Sequence, residues 1–367
     1  MFAAFCDNSA AFLSRQTGSY GTASSSPIPL LAPFRITSQN TAIPVRPHIF
    51  NLPLRVGTRA SPLALAQTRA FLARLSHFCP VLRTMEVFEE HHIKTTGDAV
   101  QDRRLAEIGG KGLFAKEIHE ALLDGRVDFA VHSLKDLETA LPEGIVLACT
   151  LEREDARDVL ILPPDAQIDA HGPANPLDAL PPAALIGTSS VRRQAQLLAV
   201  RPDLRPTLFR GNVQTRLDRV ARGEVDASLL ALAGLKRLGL AHRASVILSP
   251  EIMLPAACQG IVGITVRARD VELLELLGAI EDPVARAVST AERALLHALD
   301  GSCRTPIGGY ATMQTDGSLR LDGLVASEDG SFLLRRSIIG APADAACMGE
   351  ELGAALKADS PADIFLP

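Results

Sequence analysis

The sequence predicts an α/β protein in which strands and helices alternate and the sheets are largely parallel. Three observations support this class. From Leu52 onward, short apolar runs alternate with amphipathic stretches of helical spacing, which is typical of helices packed on sheets. Two segments repeat one helix-and-strand plan. The C-terminal part alternates with period two, which predicts a small antiparallel sheet.

The first part of the chain predicts a series of strands and two helices. Strands are expected in LRVGT, MEVFEEHHIKTT, VDFAVH and IVLACT, and helices in SPLALAQTRAFLARL and FAKEIHEALLDG. Proline is favoured in the first turn of a helix, and glycine just beyond its end. Pro62 and Gly125 therefore mark the start of the first helix and the end of the second.

The second and third parts continue the alternation. A strand is expected in ALIGTSS, helices in VRRQAQLLAVRP and VQTRLDRVARG, and a strand leading into a helix in VDASLLALAGLKRLG. Residues 162–182 are rich in proline and aspartate, which predicts a surface loop or insertion outside the core. The helix IEDPVARAVSTAERALLHAL and the period-two segments behind it predict a third, α+β domain.

An internal repeat supports two similar lobes. Gly125-Arg-Val-Asp128 and Gly223-Glu-Val-Asp226 each follow a glycine and a helix, and each precedes an apolar strand. Two copies of one α/β unit predict a cleft between them, where ligands commonly bind.

Composition excludes several classes of protein. A formal net charge of -5 argues against a general nucleic-acid binder. The sequence contains no run of 18 apolar residues, so no membrane helix is predicted. The six cysteines are scattered without a CxxC pair, which favours reduced thiols over a disulfide framework or a zinc site. His91 and His92 lack a partner at ligand spacing, so no metal site is predicted.

The N-terminal residues 1–51 differ from the rest of the chain. The first fifty contain seven serines and three arginines but one acidic residue, Asp7. This composition permits an organelle transit peptide. It does not predict a secretory signal, because the segment lacks the continuous apolar region that such a signal requires. We favour the alternatives, a disordered tail or an upstream start codon.

The segment FAVHSLKDL ends a predicted strand in four polar residues. Ser133 and Asp136 have the spacing of a helix cap. Lys135, however, would place a cation at the positive end of the helix dipole, which is more typical of an anion site. The segment alone leaves both interpretations open.

Two further strand-to-helix turns carry cations. In GTSSVRRQAQLL, Arg192 and Arg193 follow the hydroxyls of residues 188–190, and in FRGNVQTRL, Arg210 and Arg216 flank a glycine. Hydroxyls, backbone N–H groups and guanidinium groups can bind carboxylates or phosphates. A solvated basic face is the alternative for the first stretch. Three such turns favour a polyanionic small-molecule ligand.

Two glycine-rich loops are candidate ligand contacts. Lys111 lies in GGKG, which lacks the Ser or Thr of a phosphate loop and predicts a flexible lid or ligand contact. Cys303 lies in DGSCRTPIGGY beside Arg304, and an adjacent guanidinium should lower the pKa of an exposed thiol. Cys303 can thus be an attachment point, a nucleophile or an inert loop residue. Cys149 and Cys258 have apolar neighbours and are expected to be inert.

These motifs in combination resemble the porphobilinogen deaminase (hydroxymethylbilane synthase) family. The matching stretches are GTRASPLALAQT, TTGD, IGGKGLFAKEI, DFAVHSLKDL, LEREDARDVL, GTSSVRRQAQL, FRGNVQTRL, LAGLKRLGL, LPAACQGIVGI, TAERALL and GSCRTPIGGY. They run from about residue 52 to the C-terminus. The resemblance implies two α/β domains like those of periplasmic binding proteins, with a cleft between them, plus a small C-terminal α+β domain. The expected boundaries are 52–150 with 259–278, 151–258, and 283–367, after a tail of residues 1–51.

The resemblance also implies a reaction. Family members join four porphobilinogen molecules into hydroxymethylbilane and release ammonia at each step, on a dipyrromethane cofactor held by a thioether. The implied catalytic residue is Asp136. The implied cofactor-binding residues are Cys303 (the thioether), Lys135, Ser133, Ser190, Arg192, Arg193, Thr188, Arg210 and Arg216. The implied substrate-binding residues are Arg59, Ser61, Gln67, Lys111, Phe114 and Arg237.

Other classes of function fit less well. A two-lobed solute-binding protein would need a secretory signal and neither Asp136 nor Cys303. A lysine Schiff-base or pyridoxal enzyme using Lys135 would show a cofactor absorbance. We expect a cytoplasmic monomer without nucleic-acid or membrane partners, or an organelle protein if residues 1–51 are a transit peptide.

The chain departs from the family pattern at two places. Leu137 and Glu138 stand where the family usually has Val-Pro, so the backbone after Asp136 is not implied by the resemblance. Ser302 replaces the second of two glycines before Cys303, and because a small residue is kept, we still expect attachment there.

Overall fold

The computed structural model describes residues 52–83, 87–100, 112–166, 175–300 and 305–365. The expectations for residues 1–51, Lys111 and Cys303 lie outside these residues. All described residues belong to one unit of the fold. Within them, no helix is long and apolar enough to cross a membrane.

Strands and helices alternate through most of the described chain. The strands are β1 (Leu54–Arg59), β2 (Phe88–Ile93), β3 (Phe129–Ser133), β4 (Ile145–Thr150), β5 (Asp158–Ile161), β6 (Leu185–Gly187), β7 (Arg205–Thr207), β8 (Ala227–Ala231), β9 (Val246–Ile247), β10 (Val262–Arg267), β11 (Ile307–Met313), β12 (Leu319–Ala326) and β13 (Leu333–Gly340). The α-helices are α1 (Pro62–Phe78), α2 (Thr96–Ala99), α3 (Lys116–Leu123), α4 (Val191–Val200), α5 (Val213–Ala221), α6 (Leu232–Arg237), α7 (Val271–Gly278), α8 (Pro283–Ala298) and α9 (Ala345–Ala358).

Local sequence signals explain where several helices begin and end. The side chain of Ser61 accepts a hydrogen bond from Ala64 N (3.2 Å) and caps α1, whose first residue is Pro62. Gly125 and Gly223 follow α3 and α5 with φ angles of 70° and 71°, a left-handed conformation that favours glycine. The predicted boundary residues Pro62, Gly125 and Gly223 are therefore confirmed.

The first two sheets have the same topology, which confirms the internal repeat. The strand order is β2-β1-β3-β10-β4 in the first sheet and β7-β6-β8-β5-β9 in the second. In each, the second strand of the order pairs in parallel with both neighbours, and the last two pairings are antiparallel. The prediction of largely parallel sheets is wrong in this respect. Both sheets are mixed because β10 and β5 run against their neighbours.

The C-terminal part is an α+β unit, as predicted. Strands β11, β12 and β13 form an antiparallel sheet, and α8 and α9 pack on it. Gly349 on α9 allows close approach, because a Cβ there would lie 2.6 Å from the Cβ of Ala294 on α8. The core of this unit includes Leu295, Leu321 and Leu352, so the α/β class with a small additional domain is confirmed.

The prediction that residues 162–182 lie outside the core is wrong for their C-terminal end. A 3₁₀ helix, Pro176–Ala179, contributes Leu177 to the core of the second sheet, where its side chain is fully buried. Leu180 is buried beside it. The apolar residues of this proline-rich segment follow the hydrophobic effect, even though its backbone is irregular.

Candidate active site

A pocket lies between elements of the two repeated lobes. Its lining includes Ser133 and Lys135, which end and follow β3, and Ala231, which ends the equivalent strand β8. Arg237 from α6 and the buried Gln259 also line this pocket. We call the side that contains the described residues among 59–137 the first wall, and the side that contains residues 188–237 the second wall.

The turn after β3 carries three of the predicted site residues. The chain leaves Ser133 in a short 3₁₀ helix, Leu134–Asp136, which closes with a 3.1 Å hydrogen bond from Leu137 N to Leu134 O. Ser133 does not cap this helix, so the capping interpretation is wrong. Its Oγ instead lies 2.9 Å from Nε2 and 3.0 Å from Oε1 of Gln67. The buried amide of Gln67 thereby orients the Ser133 hydroxyl in the pocket.

Asp136 faces the guanidinium group of Arg59, which ends β1. Arg59 Nη1 lies 3.4 Å from Asp136 Oδ2, and Arg59 Nε and Nη2 lie 3.0 and 2.5 Å from the carboxylate of Asp98. Burial alone would lower the pKa of Arg59, but the Asp98 hydrogen bond and the two nearby carboxylates outweigh it and raise the pKa. One cation therefore lies between two carboxylates on the first wall.

Phe114 packs against this group of charges. The guanidinium carbon of Arg59 lies 4.2 Å from the centre of the Phe114 ring, a distance typical of a cation–π contact. The ring also fills the space beside Gly97, where an added Cβ would clash with it. Phe114 thus covers one face of the Arg59 guanidinium group. Ser61, at the N-terminus of α1, stays half-buried near the end of β1.

Lys135 contacts Gln259, which lies in the segment between β9 and β10. Its Nζ donates a 3.2 Å hydrogen bond to Oε1 of Gln259. The walls that enclose the ammonium group lower the pKa of Lys135 to about 8. The residue as a whole is nevertheless exposed, so water partly screens its charge.

Arg192 and Arg193 lie in the first turn of α4 and are buried, with 4% and 7% of their surfaces exposed. Ser190 caps this helix through a 3.4 Å hydrogen bond from Arg193 N to its Oγ. Each guanidinium group lies 2.7 Å from one oxygen of Asp158, which is fully buried. The interpretation as a solvated basic face is wrong, because two buried cations need a counter-charge and Asp158 provides it.

Asp158 is a site residue that sequence reasoning missed. Its Oδ1 also accepts a 2.8 Å hydrogen bond from Nε2 of Gln259. The Oε1 of the same glutamine accepts the hydrogen bond from Lys135. A chain of contacts therefore joins the arginines of the second wall to the lysine beside Asp136. The available signal was an aspartate at the first position of an otherwise apolar strand, β5, where an unpaired charge would be costly.

Further arginines make the second wall positive. Arg210 Nη2 donates to the carbonyls of Gly97 and Val100 across the cleft, at 2.9 and 3.1 Å. Burial, then the charges of Arg193, Arg210 and Arg219, lower the pKa of Arg216 to about 10. Cations that repel one another in this way form a favourable binding site for a ligand with several negative charges.

The remaining predicted residues of the second wall make local contacts. Thr188 is buried, and its Oγ1 accepts a 3.2 Å hydrogen bond from Ser190 N. Arg237 donates a 2.6 Å hydrogen bond to the carbonyl of Gly260, and burial lowers its pKa.

Two cysteines outside the pocket are inert, as predicted. Cys149 and Cys258 are buried, and burial raises the pKa of each thiol to about 12. Thiolate chemistry near neutral pH is therefore suppressed at both positions. Within the described ranges, no cluster of three or more His, Cys, Asp or Glu residues could hold a metal ion.

Comparisons with known proteins match this chain over most of its length. A family model described as porphobilinogen deaminase, dipyromethane cofactor binding domain, matches residues 54–275. A second, described as porphobilinogen deaminase, C-terminal domain, matches residues 286–358. These matches confirm the resemblance inferred from the motifs.

Individual relatives agree with the family models. The chain is 48% identical over 313 residues to porphobilinogen deaminase of Paracoccus denitrificans strain Pd 1222, covering 85% of this chain and 96% of that one. It is 45% identical over 315 residues to the chloroplastic porphobilinogen deaminase of Oryza sativa subsp. japonica, covering 85% of each. A solved ancestral cationic amino acid solute binding protein covers 62% of this chain and 87% of its own, at 16% identity and a TM-score of 0.38.

Proposed function

The chain belongs to the porphobilinogen deaminase family, and from that premise we propose its reaction and the roles of its residues. The protein joins four porphobilinogen molecules head to tail into hydroxymethylbilane and releases ammonia at each step. The observation that carries this proposal is the position of Asp136, beside Arg59 and Lys135 and opposite a second wall rich in arginine. A carboxylate and several cations are the groups that a substrate with an amine leaving group and two carboxylates requires.

The residues of the second wall fit a dipyrromethane, whose pyrrole rings bear acetate and propionate groups. The Nε atoms of Arg192 and Arg193 are buried and lack a hydrogen-bond partner within the described part of the chain. Together with Arg210 and Arg216 they offer donors and positive charge to carboxylates. When bound, the cofactor supplies the pyrrole ring to which the first substrate is joined. We propose that Cys303 holds it through a thioether, with Ser133, Lys135, Thr188 and Ser190 as further contacts.

We assign the catalytic role to Asp136. Loss of ammonia from porphobilinogen leaves positive charge on the pyrrole and its methylene carbon. A fixed carboxylate stabilises charge where it develops, because the pocket walls reduce screening by water. Asp136 can also accept the proton that the attacked pyrrole carbon releases when its ring regains aromaticity. Arg59 orients the carboxylate through its 3.4 Å contact.

Residues around the pocket are proposed to bind the carboxylates and ring of the substrate. These are Arg59, Ser61, Gln67, Lys111, Phe114 and Arg237. Gln67 and Arg237 line the same pocket as Lys135, which supports a shared ligand. Phe114 supports the site indirectly by packing on Arg59.

Mass spectrometry of the purified protein tests the cofactor. We expect the peptide that contains Cys303 to carry the added mass of two linked pyrroles, and Cys303→Ser to lack it. Incubation with porphobilinogen should restore the mass in an unmodified wild-type preparation. A wild-type protein that binds porphobilinogen but releases no ammonia would favour the solute-binding alternative and overturn the proposed reaction.

We propose domains at 52–150 with 259–278, 151–258, and 283–367. The composition of the sheets supports these boundaries, because β10 returns to the first sheet after the strands of the second. Limited proteolysis should cut near these boundaries. We further propose a cytoplasmic monomer without nucleic-acid partners, and organelle stroma or matrix if residues 1–51 are a transit peptide. Light scattering and localisation of the tagged full chain test these points.

A further inference from the structure

Glu138 lies two residues after Asp136, where the family pattern gave no expectation for the backbone. Its side chain is 11% exposed, and its Oε1 lies 3.1 Å from Nδ1 of His119 on α3, which is 2% exposed. Its other oxygen, Oε2, is buried and has no hydrogen-bond partner in the described residues. A nearly buried carboxylate beside a buried imidazole is a costly arrangement unless the two groups stabilise each other.

The contact between Glu138 and His119 depends on charge. The two atoms are close, but their alignment does not meet hydrogen-bond geometry, and neither nitrogen of His119 has another partner among the described residues. A misaligned contact gains little as a neutral hydrogen bond and considerably more as an ion pair. The contact therefore depends on the ionised carboxylate of Glu138.

The surrounding groups favour the ionised form of Glu138. His132 on β3 lies next to His119, with 5.8 Å between ring centres. Burial, then the charges of His119 and Arg59, lower the pKa of His132 to about 3, so His132 is neutral. On the other side, Arg293 of α8 contributes positive charge near Glu138, and although burial opposes ionisation, the contact with His119 and this charge lower the pKa of Glu138. The nearest charges along the turn itself are those of Lys135 and Asp136.

The same segment is fixed from two other directions. Arg293 Nη2 donates hydrogen bonds to the carbonyls of Glu138 and Thr139, at 2.8 and 3.0 Å. Leu137 is buried in the core that α8 shares. An added Cβ on Gly112, whose φ is 77°, would lie 3.1 Å from the Glu138 carboxylate. The backbone that leaves the turn is thus held by Arg293 from α8, and the Glu138 side chain ties it to α3.

We propose that Glu138 is a positioning residue: its charged contact with His119 holds the exit of the turn and thereby keeps Asp136 opposite Arg59. This inference rests on the proposed function in so far as Asp136 is the catalytic residue. The anchoring of the turn itself does not depend on that role.

Steady-state kinetics of the holoenzyme test the effect on turnover. Glu138→Gln keeps the size of the side chain and removes its charge. We expect kcat for ammonia release to fall about tenfold with KM within about twofold, because displacement of a catalytic group mainly affects the reacting step. Glu120→Gln, an exposed glutamate next to His119 on α3, is the matched control and should leave both constants unchanged.

The split between kcat and KM separates a positioning role from loss of stability. A Glu138→Gln enzyme with the same kcat as wild type would overturn the inference.

A third variant and an exchange measurement make the test independent of activity. His119→Gln should mimic Glu138→Gln, and the double variant should lose little more than either single one. Additive losses contradict the inference. Amide hydrogen exchange at Leu137, which closes the turn, should accelerate in Glu138→Gln but not in Glu120→Gln. If wild-type protein releases no ammonia, the proposed function fails, whereas unchanged exchange at Leu137 would overturn the positioning role alone.

Discussion

Replacement of Asp158 by asparagine should destabilise the protein strongly. Three donors converge on its two oxygens: one guanidinium nitrogen each from Arg192 and Arg193 at 2.7 Å, and the amide of Gln259 at 2.8 Å. Asparagine would replace one of these acceptors with an NH₂ group that faces donors, and would leave two buried guanidinium groups without a counter-charge. Removal of one partner from a buried ion pair costs about 3–5 kcal/mol, and this is the loss of unfolding free energy that we expect.

Urea unfolding followed by far-UV circular dichroism measures this loss. The control is Asp155→Asn. Asp155 pairs at 2.6 Å with Arg157, which is more exposed than Arg192 and Arg193. A surface pair of this kind contributes only about 0–1 kcal/mol to the free energy of unfolding. If Asp158→Asn is destabilised no more than this control, the buried triad does not stabilise the second wall and the reasoning is refuted.

The pH dependence of the same variant gives a second check. Burial would raise the pKa of Asp158, but the charges and hydrogen bonds of Arg193 and Arg192 outweigh it and hold the pKa well below the usual value. A depressed pKa in the folded state contributes stability above the unfolded pKa of about 3.9, and the contribution is lost as pH falls through the folded value. The stability gap between wild type and Asp158→Asn should therefore be full at neutral pH and narrow only below about pH 4.

Three further predictions concern the pocket and the core. Asp136→Asn should lower kcat for ammonia release about 10²- to 10³-fold while thermal stability and the cofactor mass stay unchanged; near wild-type turnover would exclude Asp136 as the catalytic group. Because enclosure lowers the pKa of Lys135 to about 8, KM for porphobilinogen should rise as pH increases through that value, and Lys135→Arg should abolish the rise. Gly187→Ala should cost about 1–3 kcal/mol of unfolding free energy, because the new Cβ would lie 2.6 Å from the Phe209 ring; an unchanged urea midpoint would contradict this.

The sequence predicts this fold well where local rules decide, and less well where distant residues meet. Capping by Ser61 and termination at Gly125 follow from backbone chemistry within a few residues, so both helix boundaries could be predicted. The partner of Arg192 could not, because Asp158 is 34 residues away and its strand pairs only in the folded sheet. The interpretation of Ser133 as a helix cap failed for a related reason. Gln67, 66 residues away, competes for its hydroxyl.

The two walls of the pocket differ in charge, which indicates where the negative and positive groups of a ligand are stabilised. On the first wall, Arg59 lies between Asp98 and Asp136, so that its charge is already matched. On the second wall, two arginines share the single carboxylate of Asp158, and Arg216 lies among further cations. The second wall therefore attracts the carboxylates of a ligand more strongly than the first wall does. Positive charge that develops in the ligand is stabilised on the opposite side, where Asp136 lies. Asp158 holds Arg192 and Arg193 in place on the second wall, so loss of that carboxylate should disturb ligand binding and stability together.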